Sequence, residues 1–130
     1  MGRTILLIED NAQNRYMLTF LLERSGYRVV SAVDGSSGIE QARVLQPDLV
    51  LLDIQLPTMD GYAVARSLRA IASLASTPII AVTSFAMVGD KEKSLEAGCN
   101  GYIEKPINPD TFVAEIQRFE RPATSGGERS

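Results

Sequence analysis

Short apolar runs alternate along the chain with longer stretches in which apolar and polar positions are mixed. In the runs nearly every residue is apolar, as in Ile-Leu-Leu-Ile at residues 5–8 and Leu-Val-Leu-Leu at residues 49–52. Runs of this kind, bounded by helical patterns, are typical of parallel strands that are buried on both faces. They predict strands at about residues 5–8, 27–32, 49–53, 79–83 and 102–103.

The stretches between the runs repeat apolar residues at helical spacing. Gly26 and Gly98 stand where a helix would end, and Asn108 followed by Pro109 is a typical helix start. The first helix should bury one side, made of Met17, Phe20, Leu21 and Leu22. We expect helices at about residues 12–25, 36–45, 61–72 and 90–97, and a last one from residue 109 onward.

The alternation of strand and helix along the whole chain predicts one α/β domain. Right-handed crossovers place the helices on both faces of the sheet and favour the strand order 2-1-3-4-5. We therefore expect a doubly wound (βα)5 domain with a five-stranded parallel sheet over residues 1–121. Residues 122–130 contain almost nothing to bury and are expected to form a disordered tail.

Charged residues follow three of the predicted strands. Glu9 and Asp10 come after the first strand, Asp53 ends the third, and Lys105 follows the fifth. In an open parallel sheet the carboxyl ends of neighbouring strands converge on one crevice. We therefore expect three carboxylates and one ammonium group to meet there. Such a set is suited to holding a divalent cation and to moving a phosphoryl group.

The composition narrows the classes of function. The chain has 130 residues and a net charge of -3, so it lacks the basic character of proteins that bind nucleic acid. It has no histidine and one cysteine, which excludes histidine acid/base catalysis, an internal disulfide and a cysteine zinc cluster. No apolar stretch approaches about 20 residues, so we expect a cytoplasmic protein that does not interact with a membrane.

Two stretches and a set of polar positions carry a resemblance to a known family. The stretches are LDIQLPTMDG at residues 52–61 and AGCNGYIEKP at residues 97–106. The polar positions are Glu9-Asp10, Asp53, Thr83 and Lys105-Pro106. In order and spacing they resemble the receiver domains of two-component response regulators, over about residues 3–120. The resemblance implies the flavodoxin-like topology of the CheY-like superfamily.

The resemblance also implies a role for each polar position. Asp53 would be the nucleophile that accepts a phosphoryl group, and Thr83 and Lys105 would contact that group. Thr83 and Tyr102 would form a switch, and the peptide bond before Pro106 would be cis, as is usual in the family. Mg²⁺ would be the cofactor, held by Asp10, Asp53, the carbonyl oxygen of Gln55 and, through a water molecule, Glu9. Many members have aspartate where this chain has Glu9.

Partners are implied in the same way. The phosphodonor would be a sensor histidine kinase or a histidine phosphotransfer protein, docking near residues 11–18, and the chain would not itself be an enzyme. A downstream protein or a second copy would bind the face made by helix 4, strand 5 and helix 5. That face would include Lys91, Glu92, Glu96, Tyr102 and Glu104. We expect a stand-alone receiver; a receiver excised from a hybrid histidine kinase or a longer regulator is the alternative.

Three further classes of protein share part of this pattern. A dehalogenase-type phosphatase needs a second aspartate two residues after the nucleophile, where this chain has Gln55. A flavodoxin-like flavin binder needs a Ser-, Thr- and Gly-containing loop after the first strand, where this chain has Glu9-Asp10-Asn11. A degenerate receiver acting as an adaptor would have lost a polar site residue, and this chain keeps all of them. Bound flavin, or a lack of Mg²⁺-dependent phosphorylation, would favour these classes again.

Overall fold

A computed structural model describes residues 3–56, 59–84 and 89–120 of the chain. It has a five-stranded parallel sheet in the order β2-β1-β3-β4-β5, which confirms the predicted topology. The strands are β1 Thr4–Ile8, β2 Arg28–Ala32, β3 Leu49–Asp53, β4 Ile79–Thr83 and β5 Gly101–Glu104. The helices are α1 Ala12–Arg24, α2 Gly35–Leu45, α3 Gly61–Arg69, α4 Asp90–Glu96 and α5 Pro109–Gln117, with a 3₁₀ turn at Ala72–Leu74.

The sheet separates two apolar layers because successive strand residues point to opposite faces. On one face Leu6 and Ile8 of β1 pack in the layer that contains Val64 and Leu68 of α3. On the other face Ile5 and Leu7 pack in the layer that contains buried residues of α1 and α5: Leu18, Leu22, Phe112 and Ile116. Both layers cover β3 and β4, so these central strands are buried along their whole length. Their carboxyl ends are therefore held rigidly.

The start of α3 lies directly against the end of β3. The Gly61 N–H donates to the carbonyl oxygen of Ile54 over 3.1 Å. A Cβ at Gly61 would lie 2.4 Å from the Ile54 Cα, which is closer than atoms can pack. Glycine is therefore required for this approach. The start of α3 therefore packs against Ile54, the residue that follows Asp53.

The predicted apolar side of α1 is wrong at Phe20. Leu18 and Leu22 are fully buried, whereas Phe20 is 49% exposed. Residues 18 and 22 are one helical turn apart and share a face, and a residue midway between them must point away. Arg24 lies over the exposed Phe20 ring, with its guanidinium carbon 5.6 Å from the ring centroid.

Helix α3 ends at Arg69, three residues before the predicted end at Ala72. Ile71 leaves the helical conformation, with φ -79° and ψ 119°, and packs against the core. Arg69 stabilises this turn because its guanidinium donates to the carbonyl oxygens of Leu74, at 2.7 Å, and Gly98, at 2.9 Å. The other helix boundaries agree with the prediction to within one residue. The predicted tail at residues 122–130 lies outside the described residues.

Candidate functional site

Three carboxylates meet at the carboxyl edge of the sheet. Glu9 follows β1 and Asp53 ends β3, two strands that lie side by side. One carboxylate oxygen from each of Glu9, Asp10 and Asp53 lies within 4.8 Å of the other two. Glu9 and Asp53 are buried, with 1% and 3% of their surface exposed, whereas Asp10 is exposed. The site therefore has an interior part and an open side.

Lys105 brings the positive charge that the sequence predicted. Its Nζ lies 3.3 Å from Oε1 of Glu9 and 3.3 Å from Oδ2 of Asp53. Its backbone N–H donates to the carbonyl oxygen of Thr83 over 2.8 Å, and the Lys105–Pro106 peptide bond is cis. One ammonium group thus bridges the two buried carboxylates, and with Asp10 included the cluster has two more negative charges than positive ones.

The buried carboxylate of Glu9 is electrostatically unfavourable. Burial, and then the negative charge of Asp53, raise the pKa of Glu9 above its usual value of 4.5. Hydrogen bonding from the Asn11 N–H, at 3.1 Å, and the charge of Lys105 lower the pKa by less. Two like charges about 4 Å apart repel by about 4 kcal/mol at an effective dielectric constant near 20. A cation would relieve this repulsion.

The turn after β1 is held by an arginine that the sequence analysis did not single out. Nη1 of Arg15, in the first turn of α1, donates to the backbone oxygens of Glu9 and Asp10 over 3.0 Å each. Asn11 caps the helix by accepting from the Asn14 N–H at 2.9 Å. These bonds fix the acidic doublet on its edge of the crevice. The only sequence signal would have been an arginine one helical turn after the doublet.

Gln55 connects the carboxylate site to the end of β4. Its backbone N–H donates to Oδ1 of Asp53 over 2.9 Å. Its side-chain Nε2 donates to Oγ1 of Thr83 over 3.0 Å, and its Oε1 accepts from the N–H and hydroxyl of Ser84 at 3.1 and 2.8 Å. The family resemblance implies a role for the carbonyl oxygen of Gln55 but none for its side chain. Nothing in the local sequence indicated that contact.

The donor set fits Mg²⁺. The three side chains that converge after β1 and at the end of β3, Glu9, Asp10 and Asp53, offer carboxylate oxygens, which are the hard ligands that Mg²⁺ prefers. Histidine is absent from the sequence and Cys99, its only cysteine, is buried elsewhere, so the ligands that favour Zn²⁺ are missing. The open side at Asp10 leaves room for the waters that Mg²⁺ retains.

Tyr102, the second predicted switch residue, lies one strand away from Thr83. It is half-buried on β5, where it pairs in register with Ala81 of β4. It lines a groove of about 730 Å³ between α4, β5 and α5, together with Leu95, Ile103, Phe112 and Phe119. Among the five residues predicted for the output face, Tyr102 and Glu104 line this groove. Nothing is described of the Lys91 side chain, and Glu92 and Glu96 are exposed on α4.

The structure thus brings together the residues that the sequence singled out at the strand ends. Asp53 and Thr83 are nearly fully buried at the ends of neighbouring strands, with Lys105 beside them. Tyr102 lies on the neighbouring strand β5, opposite Ala81, and its role as a switch residue stays a prediction. The chemical role of each residue stays a prediction at this point.

Comparisons with known proteins agree with this geometry. The family model for the response regulator receiver domain matches residues 5–117. The polar-differentiation response regulator DivK of Brucella anthropi is 39% identical over 119 residues, covering 92% of this chain and 97% of that protein. DivK of Brucella ovis matches to the same extent. The family match extends from the second residue of β1 to the last residue of α5.

Solved structures show the same architecture. The receiver domain of the sensor histidine kinase PA1611 from Pseudomonas aeruginosa superposes with a TM-score of 0.84 at 38% identity, covering 92% of this chain and 98% of that one. That structure has a magnesium ion coordinated in its active-site cleft. The chemotaxis protein CheY4 of Vibrio cholerae gives a TM-score of 0.88 at 27% identity, covering 92% and 99%. Within the described part of the chain, every helix is too short or too polar to cross a bilayer.

Proposed function

The chain belongs to the response regulator receiver domain family of two-component signalling, and from that membership we propose that Asp53 accepts a phosphoryl group from a phosphorylated histidine of a partner protein. The observation that carries the proposal is the convergence of a buried aspartate, two further carboxylates and Lys105 at one edge of the sheet. The family is one of signalling phosphoacceptor domains, so no turnover of an external substrate is proposed.

The transfer step forms one bond and breaks one. A carboxylate oxygen of Asp53 attacks phosphorus, and the bond from phosphorus to the donor nitrogen breaks with its electron pair leaving on the imidazole. The product on Asp53 is an acyl phosphate. Lys105 would neutralise charge on the phosphoryl oxygens, and the Thr83 hydroxyl would donate a hydrogen bond to one of them. The protein supplies mainly position and charge, as phosphoryl-transfer sites generally do.

Mg²⁺ is the proposed cofactor. Asp10, Asp53 and the carbonyl oxygen of Gln55 would hold it, and Glu9 would do so through a water molecule. When bound, the ion supplies positive charge that offsets both the carboxylates and the incoming phosphoryl oxygens. Incubation with acetyl phosphate and Mg²⁺ tests the proposal by intact mass. The protein should gain one phosphoryl group, and hydroxylamine should remove it, as expected for an acyl phosphate.

We expect the phosphodonor to dock on the N-terminal part of α1. Gln13 and Tyr16 are exposed there beside the mouth of the site, Tyr16 with 76% of its surface accessible. Replacing Gln13 and Asn14 together with alanine should slow transfer from a histidine kinase that phosphorylates this chain by about fivefold or more, the effect of losing about 1 kcal/mol of interface energy. The rate with acetyl phosphate should not change, because that donor needs no docking face.

The control for docking is Gln41→Ala, at an exposed position on α2. It should leave both rates unchanged. Equal slowing of both donors by the Gln13 and Asn14 substitutions would place the docking face elsewhere.

The proposed output is a change of packing at the groove between α4, β5 and α5. A phosphoryl group on Asp53 would attract the Thr83 hydroxyl, and its movement would open space that Tyr102 could fill from the adjacent strand. Beryllofluoride, which mimics the phosphoryl group, should therefore shift amide NMR signals in β5 and α5. Thr83→Ala should suppress these distant shifts, and Thr19→Ala on α1 should not. Shifts confined to the loops after β1 and β3 would contradict the proposed switch.

A receiver within a longer sensor kinase is a second proposal, favoured by the 38% identity to the PA1611 receiver. The site chemistry would be the same in both cases. The length of the open reading frame would distinguish them.

A further inference from the structure

The side-chain amide of Gln55 connects two loops that the proposed switch must separate. Its Nε2 donates to Thr83 Oγ1 at 3.0 Å, while its Oε1 accepts from both the N–H and the hydroxyl of Ser84, at 3.1 and 2.8 Å. These three hydrogen bonds connect the loop after β3 with the end of β4, across 28 residues of sequence.

The backbone of Gln55 cannot follow a movement of Thr83. Its N–H is bonded to Asp53 Oδ1 at 2.9 Å, and Gln55 forms an antiparallel bridge with Asp60. The preceding residue, Ile54, donates to the Val82 carbonyl oxygen at 3.0 Å and accepts from the Gly61 N–H. The side-chain amide of Gln55 can therefore reach only as far as its fixed backbone allows. A shift of the Thr83 hydroxyl toward Asp53 that carried Ser84 with it would weaken these bonds.

We propose that the Gln55 side chain is a positioning residue that holds Thr83 and Ser84 in the resting arrangement, and thereby limits how much of the unphosphorylated protein adopts the active one. This inference rests on the proposed function of Asp53 and Thr83. Phosphorylation then has to overcome the Gln55 contacts as well as move the hydroxyl. The strength of these contacts sets the threshold for activation.

The test is the variant Gln55→Met, which keeps the length of the side chain and removes its hydrogen bonds. Because apparent affinity scales with the fraction of competent protein, a larger active fraction lowers the apparent Kd of a ligand that selects it. The Kd of beryllofluoride, measured by amide NMR titration at saturating Mg²⁺, should fall about fivefold to tenfold, as expected for loss of about one net hydrogen bond. Gln41→Met, at an exposed position on α2, is the matched control and should bind like wild type.

A second readout separates this role from simple stabilisation of the loop. Without beryllofluoride, the amide signals of Tyr102 and of α5 in Gln55→Met should move along the line that joins their wild-type free and beryllofluoride-bound positions. A purely structural contact would disturb signals near Gln55 and leave those of α5 in place. Ser84→Ala, which removes one of the three bonds, should move the same signals in the same direction by a smaller amount, with about a twofold lower Kd.

The outcomes are distinguishable. If wild type fails to bind beryllofluoride, the proposed function itself is wrong. If wild type binds and Gln55→Met binds with an equal or higher Kd, or leaves the α5 signals unmoved, the positioning role of Gln55 is wrong while the proposed function stands.

Discussion

Replacement of Asp53 by asparagine is expected to lower phosphoryl acceptance from acetyl phosphate by at least about 10³-fold, as loss of a nucleophile generally does. The asparagine side chain has nearly the same shape as aspartate. It can still accept a hydrogen bond from the Gln55 N–H, which in the wild-type protein donates to Asp53 Oδ1 at 2.9 Å. It has no anionic oxygen to attack phosphorus. Because asparagine is nearly isosteric with aspartate and removes one of three crowded negative charges, we expect the variant to fold.

Intact mass after incubation with acetyl phosphate and Mg²⁺ measures this effect. Asp60→Asn is the matched control, since Asp60 caps α3 by accepting from the Tyr62 N–H at 3.1 Å and asparagine caps equally well. The control should be phosphorylated at the wild-type rate. An Asp53→Asn protein that still gains one phosphoryl group, stable to hydroxylamine, would mean that the acceptor is a different residue.

The second large effect concerns stability and Mg²⁺. At 100 times its Kd, Mg²⁺ should add about 2.7 kcal/mol to the free energy of unfolding, which corresponds to about 10 °C in the midpoint for a domain of this size. The physical reason is the excess of carboxylates in the crevice, where one ammonium group, that of Lys105, contacts both Glu9 and Asp53. Calorimetry with Mg²⁺ and with a chelator measures the difference.

The stabilisation of the fold by Mg²⁺ should depend on pH. The pKa of Glu9 is raised in the folded protein, so folded molecules bind its proton more tightly than unfolded ones do. In the absence of metal, the contribution of Glu9 to stability is therefore largest below pH 4.5 and is lost as the pH rises from there through the folded pKa. Mg²⁺ bound at the proposed site would require the deprotonated carboxylates, so its stabilising effect should grow over the same interval.

Asp10→Asn provides the test of the site. Asp10 is exposed, so its substitution should leave the fold intact and should not lower stability in chelator. It should remove most of the stabilisation by Mg²⁺. Asp48→Asn, a matched change at the opposite edge of the sheet where Asp48 accepts from the Thr4 N–H, should retain the full effect. Equal Mg²⁺ responses of wild type and Asp10→Asn would place the ion outside this crevice.

The amino-acid sequence by itself determined the strands, their order and the edge at which the site lies. Apolar runs as continuous as residues 49–52 leave little alternative to a central strand buried on both faces. Once the strands are parallel, groups at their carboxyl ends must meet, because topology alone brings those ends to one edge. The convergence of Glu9, Asp53 and Lys105 could therefore be predicted without coordinates.

Only the tertiary structure decided which atoms touch within that edge. The contact of the Gln55 amide with Thr83, and the contacts of Arg15 with the carbonyls of Glu9 and Asp10, depend on side-chain rotamers and on the path of loops. The exposure of Phe20 and the early end of α3 at Arg69 depend on which neighbours pack beside them. Periodicity in a sequence specifies the face of an element, whereas partners distant along the chain are selected by packing and hydrogen bonding in the folded state.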